Sequence, residues 1–192
     1  MNKPLFAATA AVALLLANAA PAAGALKTAI FAGGCFWSAE HDIEHAKGVK
    51  SVVVGYAGGT STTPSYNNHE GHLEAIKVTY DPAQTSYSLL VASFFHHIDP
   101  TDPNGQICDQ GPSYRTAVFV ADPAERAAAE AVKAQVAREL GQPVATRILP
   151  AGPFYMGEGY HQDYAKKNPM AYNAYRTGCG RDAALKAVWG HG

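Results

Sequence analysis

Apolar and polar positions along the chain follow two periods, and the switches between them mark out the elements. Lys27 to Phe31 is a short apolar run and reads as a first strand. Ser38 to Ala46 reads as a helix ended by Gly48, and the valine-rich Val49 to Tyr56 reads as a second strand. His72 to Tyr80 alternates as a third strand, stopped by Asp81-Pro82. In Ser86 to Ile98, residues Tyr87, Leu90, Val91, Phe94, Phe95 and Ile98 fall at the i, i+3, i+4 spacing of an amphipathic helix. Arg115 to Val120 is a fourth strand. Asp122-Pro123-Ala124-Glu125 is a helix start, with Asp122 as N-cap, and that helix runs to Leu140 before Gly141 stops it. Val144 to Leu149 is a fifth strand.

The first six elements therefore read βαββαβ, the order of a ferredoxin-like unit, extended by one helix and one strand. The predicted class is α+β, with an irregular C-terminal tail from about residue 150 that holds a short helix near His161 to Lys167. Two polar loops, Gly58 to Gly71 and Asp99 to Pro112, are longer than connectors need, which marks them as functional or mobile. There is no internal repeat and no interdomain linker.

The first 25 residues have a separate character. Lys3 precedes an apolar run from Leu5 to Ala17, followed by small residues through Ala25. That is the order of a secretory signal peptide, and the run is short for a membrane span. Cleavage is expected after Ala19, Ala22 or Ala25. Residues 26–192 then form a single catalytic domain that is exported, to the periplasm, and is not membrane-bound after cleavage. The formal charge is −1 and no basic run is present, which argues against nucleic acid as a partner.

The three cysteines, Cys35, Cys108 and Cys179, are an odd count, so they cannot all pair within one exported chain. The set is either one structural disulfide with an idle thiol or a redox-active group that changes partners. Cys35 lies in Gly33-Gly34-Cys35-Phe36-Trp37, between a strand and a helix start. Unpaired N–H groups and the helix dipole there favour a thiolate, so Cys35 is expected to be an ionised nucleophile. Cys179 has a glycine on each side, which suggests a flexible arm able to carry its thiol to a second sulfur, and Cys108 is its rival. On the third strand Glu74 shares a face with Ile76, Val78 and Tyr80, opposite Lys77 and Thr79. Glu74 is either a desolvated carboxyl, kept protonated as a proton donor, or a strand-end residue with a neutralising partner. Tyr66, Tyr114 and Asp109 lie in or beside the polar loops and supply polar groups. The histidine pairs His69/His72 and His96/His97 match no zinc spacing, so no metal is expected.

These residues resemble the A-type peptide methionine sulfoxide reductases. The resemblance is carried by Gly34-Cys35-Phe36-Trp37, by Gly55-Tyr56-Ala57-Gly58-Gly59 with Pro64-Ser65-Tyr66, and by Gly71-His72-Leu73-Glu74-Ala75. It continues through Asp109 to Arg115, then Phe154-Tyr155, His161-Gln162-Asp163-Tyr164 and Lys167-Asn168-Pro169. The tail from Cys179 to Asp182, with Leu185 and Trp189, is similar to one subgroup. The resemblance implies that Cys35 attacks the sulfur of an S-epimer methionine sulfoxide in a pocket formed by Phe36 and Trp37. It implies that Glu74 protonates the sulfoxide oxygen while Tyr66 and Tyr114 hold it and Asp109 assists through water. Cys35 is left as a sulfenic acid, Cys179 (or Cys108) closes a disulfide, and a thioredoxin-like reductant opens it. No cofactor is implied, and the chain is expected to act as a monomer on oxidised proteins, peptides and free methionine sulfoxide. A general thiol oxidoreductase or peroxidase would need the same Cys35 but no acid at Glu74. A non-enzymatic domain with a locked disulfide is the third reading.

Overall fold

A computed structural model describes residues 24–190; the expected leader lies outside them except for its last two positions. The chain runs β1 (Lys27–Ala32), α1 (Phe36–Ile43), β2 (Val49–Ala57), β3 (Leu73–Tyr80) and α2 (Tyr87–His96). It continues through β4 (Gly105–Gln106), β5 (Asp109–Gln110), a 3-10 turn (Pro112–Tyr114), β6 (Ala117–Val120), α3 (Pro123–Leu140), β7 (Arg147–Pro150) and β8 (Phe154–Met156). Three helices close it: α4 (Tyr164–Lys167), α5 (Pro169–Cys179) and α6 (Arg181–Trp189).

One sheet has the order β7-β6-β1-β3-β2-β8. Its centre, β6-β1-β3-β2, is antiparallel throughout, and β7 joins β6 in parallel. This is the ferredoxin-like arrangement with the expected extra helix and strand. The caps act as their sequences indicate. The Ser86 side chain accepts from Leu89 N–H at the start of α2, Asp122 from Glu125 N–H at the start of α3, and Gly141 ends α3 in the left-handed region. Leu90, Val91, Phe94, Phe95 and Ile98 are all buried against the sheet, as their spacing predicts. Phe31 stacks on Phe94 at 4.8 Å and joins β1 to α2.

Strand β3 departs from a simple wet-face pattern. Glu74, Ile76, Val78 and Tyr80 are buried as expected, but Leu73 and Ala75 on the opposite face are buried too, in a second apolar cluster with Ala57 and Phe119. Only Lys77 and Thr79 are partly open.

The tail is not irregular. It adds β8 to the sheet edge, then α4 within the short helix expected near His161 to Lys167, and then α5 and α6, which sequence periodicity does not reveal because their faces mix small and polar residues. Polar contacts dock it. Arg181 is fully buried; its Nε donates to Asp42 Oδ2 at 3.1 Å and its Nη2 to the His97 carbonyl at 2.7 Å. Arg176 donates to the other Asp42 oxygen at 2.8 Å, and the Trp189 indole donates to the Ile98 carbonyl at 3.0 Å. Removing one partner of a buried ion pair costs about 3 kcal/mol or more. Arg181→Met is therefore expected to lower unfolding stability in a urea melt by about that amount. A change below about 1 kcal/mol would show that this network does not hold the tail.

Candidate active site

Strand β1 delivers the chain to Gly34, whose φ is +82°. A side chain there would place its Cβ 2.5 and 2.7 Å from Gln106 carbons, so the turn needs glycine on both counts. Gln106 cannot easily move aside, because it is buried and hydrogen-bonded twice to the Asp99 backbone, at 2.7 and 2.9 Å. Cys35 follows as the N-cap of α1, and its carbonyl accepts from Ser38 and Ala39 N–H.

Cys35 is the one free cysteine and is buried. The thiolate expected from the helix start is not what the setting favours. Burial, with Glu74 and then Asp109 adding their negative charge, pushes the thiol up to about 12. The Trp37 N–H and the Tyr175 hydroxyl act in the other direction and do not outweigh it. The resting group is a protonated thiol at neutral pH.

Glu74 reaches the same helix start from β3. Its Oε2 accepts from Phe36 N–H at 2.9 Å, so the carboxyl sits one residue from the nucleophile. Burial, reinforced by the Asp109 charge, raises it to about 8 against the opposing Phe36 N–H bond. Of the two readings open from the sequence, the geometry favours the buried acid, protonated at neutral pH. No cation pairs with it among the described residues.

Aromatic rings enclose the space beside this pair. Phe36 is buried and lies 6.4 Å, ring to ring, from Tyr66. Trp37 stacks on Tyr164 at 3.8 Å, and its indole N–H donates to His161 Nδ1 at 3.0 Å. An indole nitrogen can only donate, so His161 accepts there and carries its proton on Nε2. Burial lowers the His161 pKa and keeps the ring neutral. Tyr66 is set by its backbone: Glu158 accepts from Tyr66 N–H at 2.9 Å and from the Tyr56 hydroxyl at 2.8 Å. That clamp holds Tyr66 at the site from the long loop between β2 and β3. Tyr114, in the 3-10 turn, is raised by burial first and then by Glu74, Tyr66, Cys35 and Asp109, which places all five in one electrostatic neighbourhood.

Asp109, on β5, accepts from the Tyr175 hydroxyl at 2.6 Å. The neighbouring Cys108 is exposed and joined to Cys179 by a disulfide across 71 residues of sequence, Cα–Cα 5.2 Å. Cys179 is thus the last residue of a docked helix rather than a free arm, followed by the left-handed Gly180. Cys108, Asp109 and Cys179 form the one cluster of possible metal ligands among the described residues, and the disulfide engages both sulfurs. Sequence reasoning passed over Gln106, Glu158 and Tyr175. Tyr175 is legible only once the tail is known to be helical, where it falls one turn before Cys179.

A family model described as peptide methionine sulfoxide reductase matches residues 27–192. The chain belongs to this family, in its A-type branch. It is 52% identical to peptide methionine sulfoxide reductase MsrA 2 of Caulobacter vibrioides, over 97% of this chain and 96% of that protein. It is 42% identical to MsrA of Bacillus subtilis, over 84% of this chain and 95% of that one. Among solved structures, Mxr1 of Saccharomyces cerevisiae in reduced form aligns with a TM-score of 0.70 at 32% identity, covering 79% of this chain and 89% of its own. Methionine sulfoxide reductase A of Corynebacterium diphtheriae aligns at 0.67 and 32%, covering 76% of each chain. The protein is thus a peptide methionine sulfoxide reductase, an enzyme that reduces oxidised methionine. The family match spans α5 and α6 as well as the sheet, so the helical tail that supplies Tyr175 and Cys179 lies within the reductase domain.

Proposed function

We propose that this reductase acts on the S epimer of methionine sulfoxide, in peptides and proteins and as the free amino acid, by a sulfenic acid route. The observation that carries the reading is the pairing of one buried thiol with one buried, protonated carboxyl beside an aromatic wall. A sulfoxide joins an apolar methyl and a polarised oxygen on one sulfur. Phe36 and Trp37 suit the methyl; Glu74, Tyr66 and Tyr114 suit the oxygen.

Cys35 Sγ bonds to the sulfoxide sulfur while the Glu74 proton passes to the oxygen, which can then leave. The protonated oxygen then passes to Cys35 Sγ as the new Sγ–S bond breaks and its electron pair returns to the methionine sulfur, so methionine departs and Cys35 is left as a sulfenic acid. Cys179, as a thiol, attacks Cys35 Sγ and releases water, forming a Cys35–Cys179 disulfide. Cys108 then attacks Cys179 and frees Cys35. The Cys108–Cys179 bond described above is the product of that exchange, and it leaves an exposed sulfur for an external dithiol. A thioredoxin-like protein fits as reductant: the yeast relative Mxr1, in complex with Trx2, aligns at a TM-score of 0.51 and 26% identity, covering 76% of this chain and 88% of its own. We further propose a leader cleaved within residues 1–25, export to the periplasm and action as a monomer.

The test is an assay of the mature chain with dithiothreitol on separated epimers of a methionine sulfoxide peptide. Turnover of the S epimer with the R epimer left intact is expected; equal use of both would defeat the reading.

A further inference from the structure

Glu40 is a buried carboxyl that the reaction does not use. It lies on α1 three residues after Trp37, so the two side chains share one face of that helix. It is 3% exposed, and no cation pairs with it among the described residues; Lys166 pairs with Glu44 and Asp163 instead. Its Oε1 accepts from the Asp163 backbone N–H at 3.1 Å. Burial pushes the carboxyl up to about 7 against that bond, and the Asp163 and Glu44 charges add to the rise. No ion pair accounts for a carboxyl in this place; the bond to the Asp163 backbone does.

Asp163 belongs to the segment that grips Trp37. The His161 ring accepts from the Trp37 indole at 3.0 Å, and the Tyr164 ring stacks on the same indole at 3.8 Å, 7° from parallel. Asp163 lies between them with φ +54°, in the left-handed region that a residue with a side chain rarely adopts. Gln162 ties the segment to β2: Val54 N–H donates to its Oε1, and its Nε2 donates to the Val54 carbonyl, each at 2.9 Å. Glu40 is a second anchor, on the helix that also carries Phe36 and Trp37. We propose that Glu40 is a positioning residue for the substrate pocket: through the Asp163 N–H it sets this turn so that His161 and Tyr164 hold the Trp37 ring as a fixed wall for the sulfoxide methyl. This rests on the reading of Phe36 and Trp37 as that wall.

The role needs an acceptor and not a charge. A carboxyl oxygen accepts from the Asp163 N–H whether or not the group is protonated, and a glutamine amide oxygen can do the same. Without the acceptor, the N–H loses its partner and the left-handed turn is free to relax, taking His161 and Tyr164 with it. Gln162 still holds the segment to the sheet, so the loosening stays local. The methyl meets the wall both before and during attack, so a loosened wall weakens ground state and transition state alike. That raises KM and leaves kcat nearly unchanged.

The chain has two tryptophans, which gives the test an internal control. Trp37 donates its indole N–H to His161, and Trp189 donates its own to the Ile98 carbonyl. The experiment follows hydrogen exchange of both indole N–H signals by NMR in wild type, Glu40→Leu and Glu40→Gln. Glu40→Leu is expected to speed exchange at Trp37 at least about fivefold, the effect of losing one hydrogen bond, with Trp189 unchanged. Its KM for an S-epimer methionine sulfoxide peptide should rise about fivefold, with kcat within about twofold of wild type. Glu40→Gln should match wild type in exchange, KM and kcat. Alkylation of Cys35 by iodoacetamide, with the Cys108–Cys179 bond intact, should proceed at one rate in all three proteins, because the nucleophile is not displaced. Where Glu40→Leu does not fold, Glu40→Asp, which draws the acceptor back by one methylene, is read on the same scale. Wild-type exchange and KM in the folded Leu or Asp variant would overturn the role. So would equal disturbance of Trp37 and Trp189, or a Glu40→Gln protein as impaired as Glu40→Leu. The exchange measurement needs no turnover, so a wild type inactive on the S epimer would fault the proposed function and leave the test of Glu40 intact.

Discussion

Glu74→Gln is expected to reduce the rate of sulfoxide reduction by about 10²- to 10⁴-fold while leaving oxidation of Cys35 by hydrogen peroxide within a few-fold of wild type. The amide keeps the shape of the carboxyl, and its Oε1 can still accept from Phe36 N–H, the one bond Glu74 makes to the start of α1. The change removes only the proton. A sulfoxide oxygen is a poor leaving group until protonated, whereas a peroxide has a weak O–O bond and needs less help. At neutral pH the protonated carboxyl and the amide are both uncharged, so the substitution leaves the charge beside the Cys35 thiol unchanged. A loss of sulfoxide reduction therefore cannot come from a weaker thiol. The two rates, measured on one preparation by methionine release and by loss of free thiol, separate a dedicated reductase from a general thiol peroxidase. If both fell together, Glu74 would be supporting the fold of the site rather than supplying a proton.

Cys179→Ser should abolish turnover driven by a thioredoxin-like dithiol, yet still release one methionine per enzyme in the absence of reductant. Attack on the sulfoxide needs only Cys35 and its surroundings, whereas recovery needs a second sulfur. Cys179 ends a docked helix and is bonded to Cys108, so that bond must be reduced before the Cys179 thiol can attack Cys35. Dithiothreitol is small enough to reduce Cys35 directly and should support part of the turnover in the variant. Cys108→Ser should retain the first disulfide, Cys35–Cys179, and accumulate it. A Cys179→Ser protein that cycles normally with thioredoxin would transfer the resolving role to Cys108.

Local chemistry explains what could be read from the chain alone. Helix α2 was legible because its apolar residues recur every three or four positions, and α3 because Asp122-Pro123 and Gly141 punctuate it. The sheet centre followed from short apolar runs separated by clear stops. Glu74 could be placed among buried residues because alternation along β3 ties it to Ile76 and Val78, although its role remained open. What escaped depends on groups far apart in sequence. Helices α5 and α6 are docked by Arg181 and Arg176 on Asp42 and by Trp189 on the Ile98 carbonyl, and no period announces such contacts. The charge state of Cys35 escaped for a related reason. The helix start acts as expected, but burial of the thiol, followed by Glu74 and Asp109 from distant parts of the chain, reverses the outcome. The pairing of Cys108 with Cys179 needed the position of α5 and was open until then.

The central claim is that Cys35 takes the oxygen from sulfoxide sulfur as Glu74 protonates it, and mass mapping after a single turnover tests it most directly. The fully reduced mature chain would be mixed with one equivalent of S-epimer methionine sulfoxide peptide, without reductant, and quenched in acid at intervals. The account predicts one methionine per enzyme. It predicts an oxygen or a disulfide first on Cys35, then on the Cys108–Cys179 pair, and no methionine from Cys35→Ser. Methionine formed while Cys35 stays reduced throughout, or formed equally well by Cys35→Ser, would contradict it.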